Sequence, residues 1–483
     1  MLKQGFNRVI KPIEVLNDEQ IASLHSGTLH VLETTGVKFE HQKALDLFER
    51  SGCFVDRNDK RVKFPPGIVE ACLRSCPSSF TVSARDPDNS LCFGGNSLYF
   101  YNSVGMRTID LDTWEPKTPS LTDQHDGVLV LDALANLHLI NTYTPYMEIE
   151  GVPPCMLLLE SLASRIRHTT KVICAGSAQG SERFATMMAQ AAGIQLAGWM
   201  MASPPLAYFD DACSAAFSYA EAGFPIFITS GGSYGSTAPA TIAGATITNN
   251  AELIAGIVLI QLIKPGIGLV VADFTFPTDM RTGIPVFGST NSILHASMFA
   301  QIWRSYRIPT CVSTSGYSNA KKMDFQSGYE KALAGYSAAL SGANVVSLHG
   351  GISSELTFHP VQAILDNDIA GMIGRLIEGV EITQDTMAID LIDQVGPLPG
   401  IYLNKRHTRE AWKKEKHSPP VSDRLSYTEW MGQGKKSTLD YASEKLEAIL
   451  AAHKPIPLAD DKDQEITNVL QEARIHYHEL GLM

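Results

Sequence analysis

Aromatic, hydroxyl and histidine side chains follow most of the short apolar runs in this sequence. They are Tyr143, Tyr146, Ser177, Ser203, Ser230, Phe274, Tyr317, His349, Phe358 and His359, with Asp273 nearly alone among them as an acid. The face of an aromatic ring attracts a cation by about 0.5–2 kcal/mol without a hydrogen bond. These rings therefore suit a quaternary ammonium group, which has no N–H to donate.

One of these positions also suits an anion. His349 precedes Gly350 and Gly351, and glycines let a ligand approach the backbone closely. The imidazole or a backbone N–H of this turn is a candidate partner for a carboxylate. Together the residues indicate a small zwitterion with a quaternary nitrogen, while packing in the core is the alternative for each ring.

Most motifs that mark a known chemistry do not occur. The sequence has no GxxxxGK[ST], GxGxxG or HExxH, and its eight cysteines form no CxxC pair. Residues 231–235 read GGSYG, which matches the G-x-S-x-G of serine hydrolases with Ser233 as the nucleophile. A nucleophile elbow needs a helix directly after the serine, whereas residues 236–239 read as loop. We therefore favour a binding site without a metal or a nucleotide over a hydrolase.

The composition is that of a folded, acidic chain. Of its 483 residues, 44% are apolar and 19% are charged, which argues against a disordered chain, a coiled coil and a collagen-like fibre. The formal net charge of −12 disfavours binding to polyanions, so we expect no nucleic-acid partner and no anionic membrane surface.

Cysteine usage and hydropathy indicate a cytoplasmic protein. The cysteines are too sparse for a disulfide framework, and we expect them to be reduced and mostly buried. The first residues show neither the apolar region nor the cleavage site of a signal peptide. The longest apolar stretch, 253–271, is interrupted by Gln261, Lys264 and Pro265, so we expect no membrane span.

From about residue 125, short apolar runs alternate with helical patterns. The runs cover 138–145, 171–177, 197–204, 225–232, 266–276, 310–317 and 345–351, with a short eighth at 355–358. The helical patterns cover 152–166, 181–192, 207–222, 248–264, 291–306, 325–341 and 361–378. The eight runs, with the helical patterns that follow most of them, match a (β/α)8 TIM barrel, in which chemistry lies at the carboxyl ends of the strands. A doubly wound open sheet is the alternative.

Three parts follow from this reading. Residues 1–124 are predicted to form an N-terminal segment of helices and β-hairpins, and residues 125–403 a TIM-barrel domain. Residues 404–483 are predicted to form a C-terminal helical extension with helices over 441–453 and 463–480, either as a solvated wrap or as a subunit contact.

Several ordered segments resemble the trimethylamine methyltransferase superfamily, and specifically its members that lack pyrrolysine. The segments are 238–244 (APATIAG), 249–252 (NNAE), 261–266 (QLIKPG), 324–331 (DFQSGYEK), 341–344 (SGAN), 358–362 (FHPVQ), 366–369 (DNDI) and 423–430 (DRLSYTEW). The resemblance covers nearly the whole chain, and the pyrrolysine position of other members corresponds to a place near residues 320–323.

The resemblance implies a barrel enzyme that moves a methyl group from an amine to the cobalt of a separate corrinoid protein. Without pyrrolysine, the chain is similar to the type that acts on glycine betaine, and related members use proline betaine, carnitine or γ-butyrobetaine. The implied acceptor is cob(I)alamin on a partner protein, with no metal bound by this chain. A homo-oligomer is also implied.

Methyl transfer from a quaternary nitrogen requires few chemical groups from the protein. The nitrogen leaves as a neutral tertiary amine, so neither a proton donor nor a metal is required and positioning should dominate. Because cation–π attraction weakens as charge leaves the nitrogen, aromatic rings favour substrate binding more than the transition state.

Under this interpretation His349 binds the substrate carboxylate, and Phe358 and Phe100 form walls of an aromatic cage. The second choices are Tyr101, Asn102, Tyr143, Tyr317 and His359. Residues 100–102 precede the predicted barrel, so their loop would have to fold over its mouth. Two other functions stay open: a noncatalytic quaternary-amine binding protein, and methyl transfer from a methoxy compound or tertiary amine, which predicts a zinc site or a proton donor.

Overall fold

Eight parallel strands form a closed barrel at the centre of the computed structural model, which describes residues 4–143 and 145–483. The strands are β1 (Ser97–Asn102), β2 (Leu139–Ile140), β3 (Val172–Ala175), β4 (Leu196–Met201), β5 (Ile226–Ser230), β6 (Leu269–Asp273), β7 (Thr310–Val312) and β8 (Val345–His349). Each strand pairs in parallel with the next, and β8 pairs in parallel with β1. The predicted TIM barrel is confirmed.

A helix follows each strand and packs on the outside of the barrel. The helices are α1 (Leu121–Ala133), α2 (Leu157–His168), α3 (Ser181–Ala192), α4 (Asp210–Ala222), α5 (Ile242–Ile263), α6 (Thr290–Ser305), α7 (Phe325–Leu340) and α8 (Pro360–Ile377). Side-chain caps begin several of them, such as Ser120 at α1 and Asp324 at α7. Helix α5 is long and apolar enough to cross a membrane, but 78% of its most apolar window is buried inside the structure, as in a core helix.

Both faces of the barrel strands are buried, which explains their continuous apolar runs. Alternate residues such as Tyr99, Tyr101 and Phe227 belong to one cluster inside the barrel. Their neighbours Leu98 and Phe100 belong to a different cluster, which includes residues of α7 and α8. The inner and outer faces of a strand therefore differ in their contacts and not in their polarity.

The eighth strand is not where the sequence analysis placed it. Thr357–Phe358, inside the predicted run 355–358, pairs antiparallel with Gly351–Ile352 outside the barrel. The barrel is closed instead by Ser97–Asn102, all six residues of which are buried. The barrel therefore begins before residue 125, while the division of the chain into three parts stays a prediction. Thr144, within the predicted run 138–145, lies outside the described residues.

The N-terminal segment packs on two sides of the barrel. Its helices are Asp18–Thr34, Gln42–Arg50 and Pro66–Ser75, and its short strands before β1 are Phe6–Asn7, Val37–Phe39, Phe54–Asp56, Arg61–Lys63, Ser79–Val82 and Leu91–Gly94. The hairpin formed by the last two strands closes the amino-terminal end of the barrel, where Phe93 contacts the rings of Tyr99 and Phe227. The carboxyl-terminal end is the one left for a ligand.

The predicted C-terminal extension is helical, with Arg406–Glu415, Tyr427–Gly432, Thr438–Ala452 and Asp460–Glu479. Two shorter helices, Gln384–Met387 and Ile389–Val395, lie between α8 and this extension. Thr438–Ala452 lies against α1 and α8, and Asp460–Glu479 lies against α2 and α3. Buried residues of the last helix, such as Leu470 and Tyr477, attach the end of the chain to the barrel.

Candidate active site at the barrel mouth

Four aromatic rings meet beyond the carboxyl ends of β6 and β7. Phe274 directly follows β6, Tyr317 follows the turn Thr314–Gly316 after β7, and Phe276 and Phe287 lie in the connection between β6 and α6. The ring centroids of neighbouring members lie 5.1–5.9 Å apart: Phe276–Phe287 5.1 Å, Phe287–Tyr317 5.2 Å, Phe274–Phe276 5.6 Å, Phe274–Tyr317 5.6 Å and Phe274–Phe287 5.9 Å. We call these four residues the aromatic cluster.

The backbone beyond β5 and β6 positions two rings of the cluster. The N–H of Phe274 donates to the carbonyl of Ser230 at 3.0 Å, and the N–H of Phe276 donates to that of Gly232 at 3.2 Å. Parallel pairing thus continues past the ends of both strands, and Ser233–Tyr234 pairs with Phe276–Pro277. Phe274 continues the alternation of Val270 and Ala272, whose side chains lie inside the barrel.

Part of the aromatic cluster is accessible. Phe287 and Tyr317 are buried, whereas Phe274 and Phe276 are only half-buried. Solvent therefore reaches aromatic faces at the carboxyl end of the barrel, which is what a cation-binding site requires.

The serine that matches the hydrolase motif is not a nucleophile elbow. Ser233 lies in a short strand, its hydroxyl contacts that of Thr278, and the next helix begins only at Ile242. This placement agrees with the loop that the sequence predicts after the serine.

His349 is completely buried at the end of β8. Its ring lies beside Phe100, with the centroids 6.4 Å apart, and neither ring nitrogen has a hydrogen-bond partner among residues 4–143 and 145–483. Burial, with a smaller contribution from the charge of Lys331, holds the pKa of His349 well below its ordinary value. The imidazole is therefore neutral, and its contact with a substrate carboxylate stays a prediction.

The structure does not bring Phe100 and Phe358 together as two walls of one cage. Phe100 packs with Ala338, Ala339 and Ile373 between the barrel and helices α7 and α8. Phe358 lies in another cluster, where its ring meets that of Tyr146 at 5.7 Å. Both side chains are 0% exposed. They occupy the core, which is the alternative stated above for each ring.

Of the second choices, Tyr317 is the one that the structure brings into the aromatic cluster. Tyr101 lies inside the barrel and donates its hydroxyl to Ser313 Oγ at 2.7 Å, and burial keeps its pKa well above the ordinary value. His359 caps α8, because its Nδ1 accepts the N–H of Val361 at 3.1 Å, and burial lowers its pKa to about 4.

Asn102 and Tyr143 mark the ends of β1 and β2. The Oδ1 of Asn102 accepts the backbone N–H of Asn141 at 2.9 Å, which ties the two strands together. Tyr143 has a left-handed backbone with φ of +51°, which is uncommon for a residue with a side chain and often occurs at functional positions. Its contact with substrate stays a prediction.

A buried ion pair supports the turn that follows β8. Lys331 Nζ lies 2.7 Å from Asp366 Oδ2 and donates to the carbonyl of Gly351 at 2.8 Å. Asp366 also accepts the N–H of Gly350 and the side-chain amide of Gln362, both at 2.8 Å. Because both charged side chains are 0% exposed, the pair holds residues 350–351 in one position.

A second buried acid lies below the mouth. Glu252 of α5 accepts the hydroxyl of Ser230 on one oxygen and the N–H of Leu206 at 2.7 Å on the other. Burial outweighs these two hydrogen bonds and raises the pKa of Glu252 to about 7. The folded protein therefore binds this proton more tightly than the unfolded chain does.

Glu252 should make stability depend on pH. Its contribution is complete below its ordinary pKa of 4.5 and is lost as the pH rises to about 7. Glu252→Gln cannot ionise; its amide oxygen still accepts the N–H of Leu206, and its amide nitrogen donates to the hydroxyl oxygen of Ser230. We expect the variant to exceed the wild type in free energy of unfolding by about 2–3 kcal/mol at pH 8 and to match it at pH 4, measured by urea denaturation. A variant that is less stable at pH 8 would contradict this assignment.

Two members of the aromatic cluster, Phe276 and Phe287, were not predicted from the sequence. Both lie in the connection between β6 and α6, which has little regular structure. Reading every second residue through the end of β6 selects Phe274 and Phe276. In the described part of the chain, no group of three or more His, Cys, Asp or Glu side chains could hold a metal ion.

Known proteins have similar sequences. A family model described as trimethylamine methyltransferase (MTTB) matches residues 2–474. The glycine betaine methyltransferase of Desulfitobacterium hafniense (strain Y51) is 33% identical over 472 residues, covering 95% of this chain and 97% of the relative. A trimethylamine methyltransferase of Desulfitobacterium hafniense (strain DSM 10664 / DCB-2) is 28% identical, covering 95% and 94%.

A solved structure has the same fold. The crystal structure of the monomethylamine methyltransferase of Methanosarcina barkeri superposes with a TM-score of 0.50 and 14% identity, covering 96% of this chain and 93% of that one. At 14% identity this similarity shows a common fold and nothing about function.

Proposed function

Since the chain belongs to the trimethylamine methyltransferase family, we propose that it transfers a methyl group from a small quaternary amine to the Co(I) of a corrinoid on a separate protein. Glycine betaine is the first candidate for the substrate. The family makes the chain a methyltransferase; the quaternary amine, the betaine and the corrinoid partner are our proposal.

The aromatic cluster is the observation that carries this proposal. A methylated cation offers no N–H group, so hydrogen-bond acceptors cannot select it, whereas ring faces can. Phe274, Phe276, Phe287 and Tyr317 supply four rings at the end of the barrel where TIM-barrel enzymes hold their substrates. The identity with a glycine betaine methyltransferase supports the choice of glycine betaine among quaternary amines.

The reaction needs positioning more than acid–base groups. One methyl carbon moves to Co(I), and the electron pair of the broken C–N bond stays on nitrogen, so that glycine betaine leaves as dimethylglycine. The nitrogen gains a lone pair and loses its positive charge, and no proton is transferred. The rings bind the quaternary nitrogen of the substrate more strongly than the uncharged amine of the product, which favours release of the product.

A substrate panel tests the proposal. The purified protein is mixed with cob(I)alamin and glycine betaine, proline betaine, carnitine, γ-butyrobetaine or trimethylamine, and formation of methylcobalamin is followed by absorbance. We expect methylcobalamin with at least one quaternary amine and the fastest reaction with glycine betaine. Tight binding of betaines without transfer to cob(I)alamin or a corrinoid protein would instead indicate a noncatalytic binding protein.

We also propose that the chain is cytoplasmic and forms a homo-oligomer. All eight cysteines are free, which supports a reducing compartment. Between α8 and the helix Arg406–Glu415, large apolar side chains are exposed, with Leu398 at 93% and Leu403 at 80%. Exposed apolar surface of this kind is typical of interfaces. Light scattering that returns the mass of a single chain would contradict the oligomer.

A further inference from the structure

A short turn beyond β8 carries an acid toward the residues that follow β7. The turn joins Gly351–Ile352 to Thr357–Phe358, and two consecutive residues in it, Ser353 and Ser354, have left-handed backbones with φ of +56° and +62°. This conformation is unfavourable for residues with side chains and persists only where neighbours impose it. The turn is therefore held in place from outside.

The residues after β7 supply that support. The N–H of Ser353 donates to the carbonyl of Ala320 at 2.9 Å, and the N–H of Ser354 donates to that of Ser318 at 2.6 Å. The side-chain amide of Asn319 donates to the hydroxyl of Ser354 at 2.9 Å. These bonds place the backbone at Glu355 beside the backbone of Tyr317, a member of the aromatic cluster.

Glu355 has a buried carboxylate oxygen without a partner. Its Oε2 is inaccessible to solvent and accepts no hydrogen bond from any described residue, an arrangement that is rare and costly for a carboxylate. The nearby Glu330 differs, since its carboxylate accepts from the hydroxyl of Ser318 at 2.6 Å, the N–H of Asn319 at 2.9 Å and the amide of Gln326 at 2.8 Å. Of these two neighbouring acids, only Glu355 has a buried oxygen without a partner among the described residues; Glu182, Asp273 and Asp368 show the same feature elsewhere.

The electrostatics agree with this placement. The charge of Glu355 contributes to raising the pKa of Tyr317, whose shift is caused mainly by burial. Burial also raises the pKa of Glu355 itself. A cation beside the carboxylate would reverse the second effect and stabilise the ionised form.

We propose that Glu355 is the counter-charge for the substrate's quaternary nitrogen, and thereby a residue that selects a permanently charged amine. This proposal rests on the proposed function and adds a residue to its site. A quaternary ammonium cannot donate a hydrogen bond, so it can pair with the carboxylate oxygen that accepts none, as well as with ring faces. Because the nitrogen becomes neutral during transfer, Glu355 contributes to substrate binding and not to the chemical step.

An analogue with carbon in place of nitrogen distinguishes recognition of the positive charge from recognition of the shape. In 3,3-dimethylbutyrate a carbon replaces the nitrogen of glycine betaine, so the size and the carboxylate are kept and the positive charge is lost. We expect Glu355→Gln to lower the affinity for glycine betaine by about tenfold in calorimetry. The affinity of the same variant for 3,3-dimethylbutyrate should stay the same or increase. In turnover, KM should rise and kcat should not fall, because the lost contact stabilises the charged substrate more than the transition state. Equal weakening of both ligands, or no change for glycine betaine, would overturn the proposal.

Two controls keep the outcome decisive. Glu148→Gln removes the same charge from an exposed carboxylate that pairs with Arg107, and it should change neither affinity. If Glu355→Gln does not fold, the wild type must still prefer glycine betaine over the isostere, and Glu355→Asp must keep that preference; loss of either result overturns the proposal. Tetramethylammonium binding that depends on Glu355, with no methyl transfer from any quaternary amine of the substrate panel, would uphold the residue's role and reject the proposed function.

Discussion

Replacing Lys331 by methionine is expected to lower the free energy of unfolding by about 3–5 kcal/mol, because the variant leaves an unpaired carboxylate in the core. Asp366 Oδ2 lies 2.7 Å from Lys331 Nζ, and neither side chain is exposed. Methionine preserves most of the volume of lysine, so the effect reports the lost charge rather than a cavity. Urea denaturation followed by circular dichroism measures it.

The partner substitution provides the control. Asp366→Asn in the Lys331→Met background removes the unpaired charge and still accepts the N–H of Gly350, a bond of 2.8 Å in the wild type. We expect the double variant to recover more than half of the stability lost by Lys331→Met. A loss below about 1 kcal/mol for the single variant would show that this pair does not hold the turn after β8.

Replacing Phe274 by leucine is expected to weaken glycine betaine binding by up to about 30-fold, since a cation–π contact in a desolvated site contributes about 2 kcal/mol. Leucine keeps the apolar bulk and removes the ring face. Phe274 is half-buried and meets the ring of Tyr317 at 5.6 Å, so the substitution should change affinity more than folding. Calorimetric titration of both proteins gives the ratio.

Phe100→Leu is the matched control. Its ring is 0% exposed and packs with residues of α7 and α8, so we expect it to lower stability by about 1–2 kcal/mol and leave affinity unchanged. If Phe100→Leu weakens binding more than Phe274→Leu does, the cage has the walls that the sequence analysis predicted and the aromatic cluster is not the site.

The barrel was largely predictable because its strands and helices have different periods and clear ends. Helix α3 has the predicted bounds, and α7 ends within one residue of them. Strand β1 was missed because Ser97–Asn102 is aromatic and precedes a long connection before β2, whereas Thr357–Phe358 directly precedes a helix. Local pattern could not decide which of the two closes the barrel, because closure is a non-local pairing.

The cage walls were harder to predict for a physical reason. In strands buried on both faces, inward and outward residues are equally apolar, so the sequence does not reveal that Phe100 faces the helices while Tyr101 faces the interior. The register of β8 against β1 is also irregular between Ser347 and His349, and such an irregularity changes which face a residue occupies. The role proposed for Glu355 could not be predicted from the sequence, because a missing hydrogen-bond partner is a property of the folded structure.

The central claim is that this barrel presents a methyl group of a quaternary nitrogen to Co(I). A single-turnover reaction with glycine betaine carrying ¹³C-labelled N-methyl groups and cob(I)alamin tests it most directly, with both products followed by NMR. We expect labelled methylcobalamin and dimethylglycine to form in equal amounts. Methylcobalamin formed from trimethylamine and from no quaternary amine would contradict the claim.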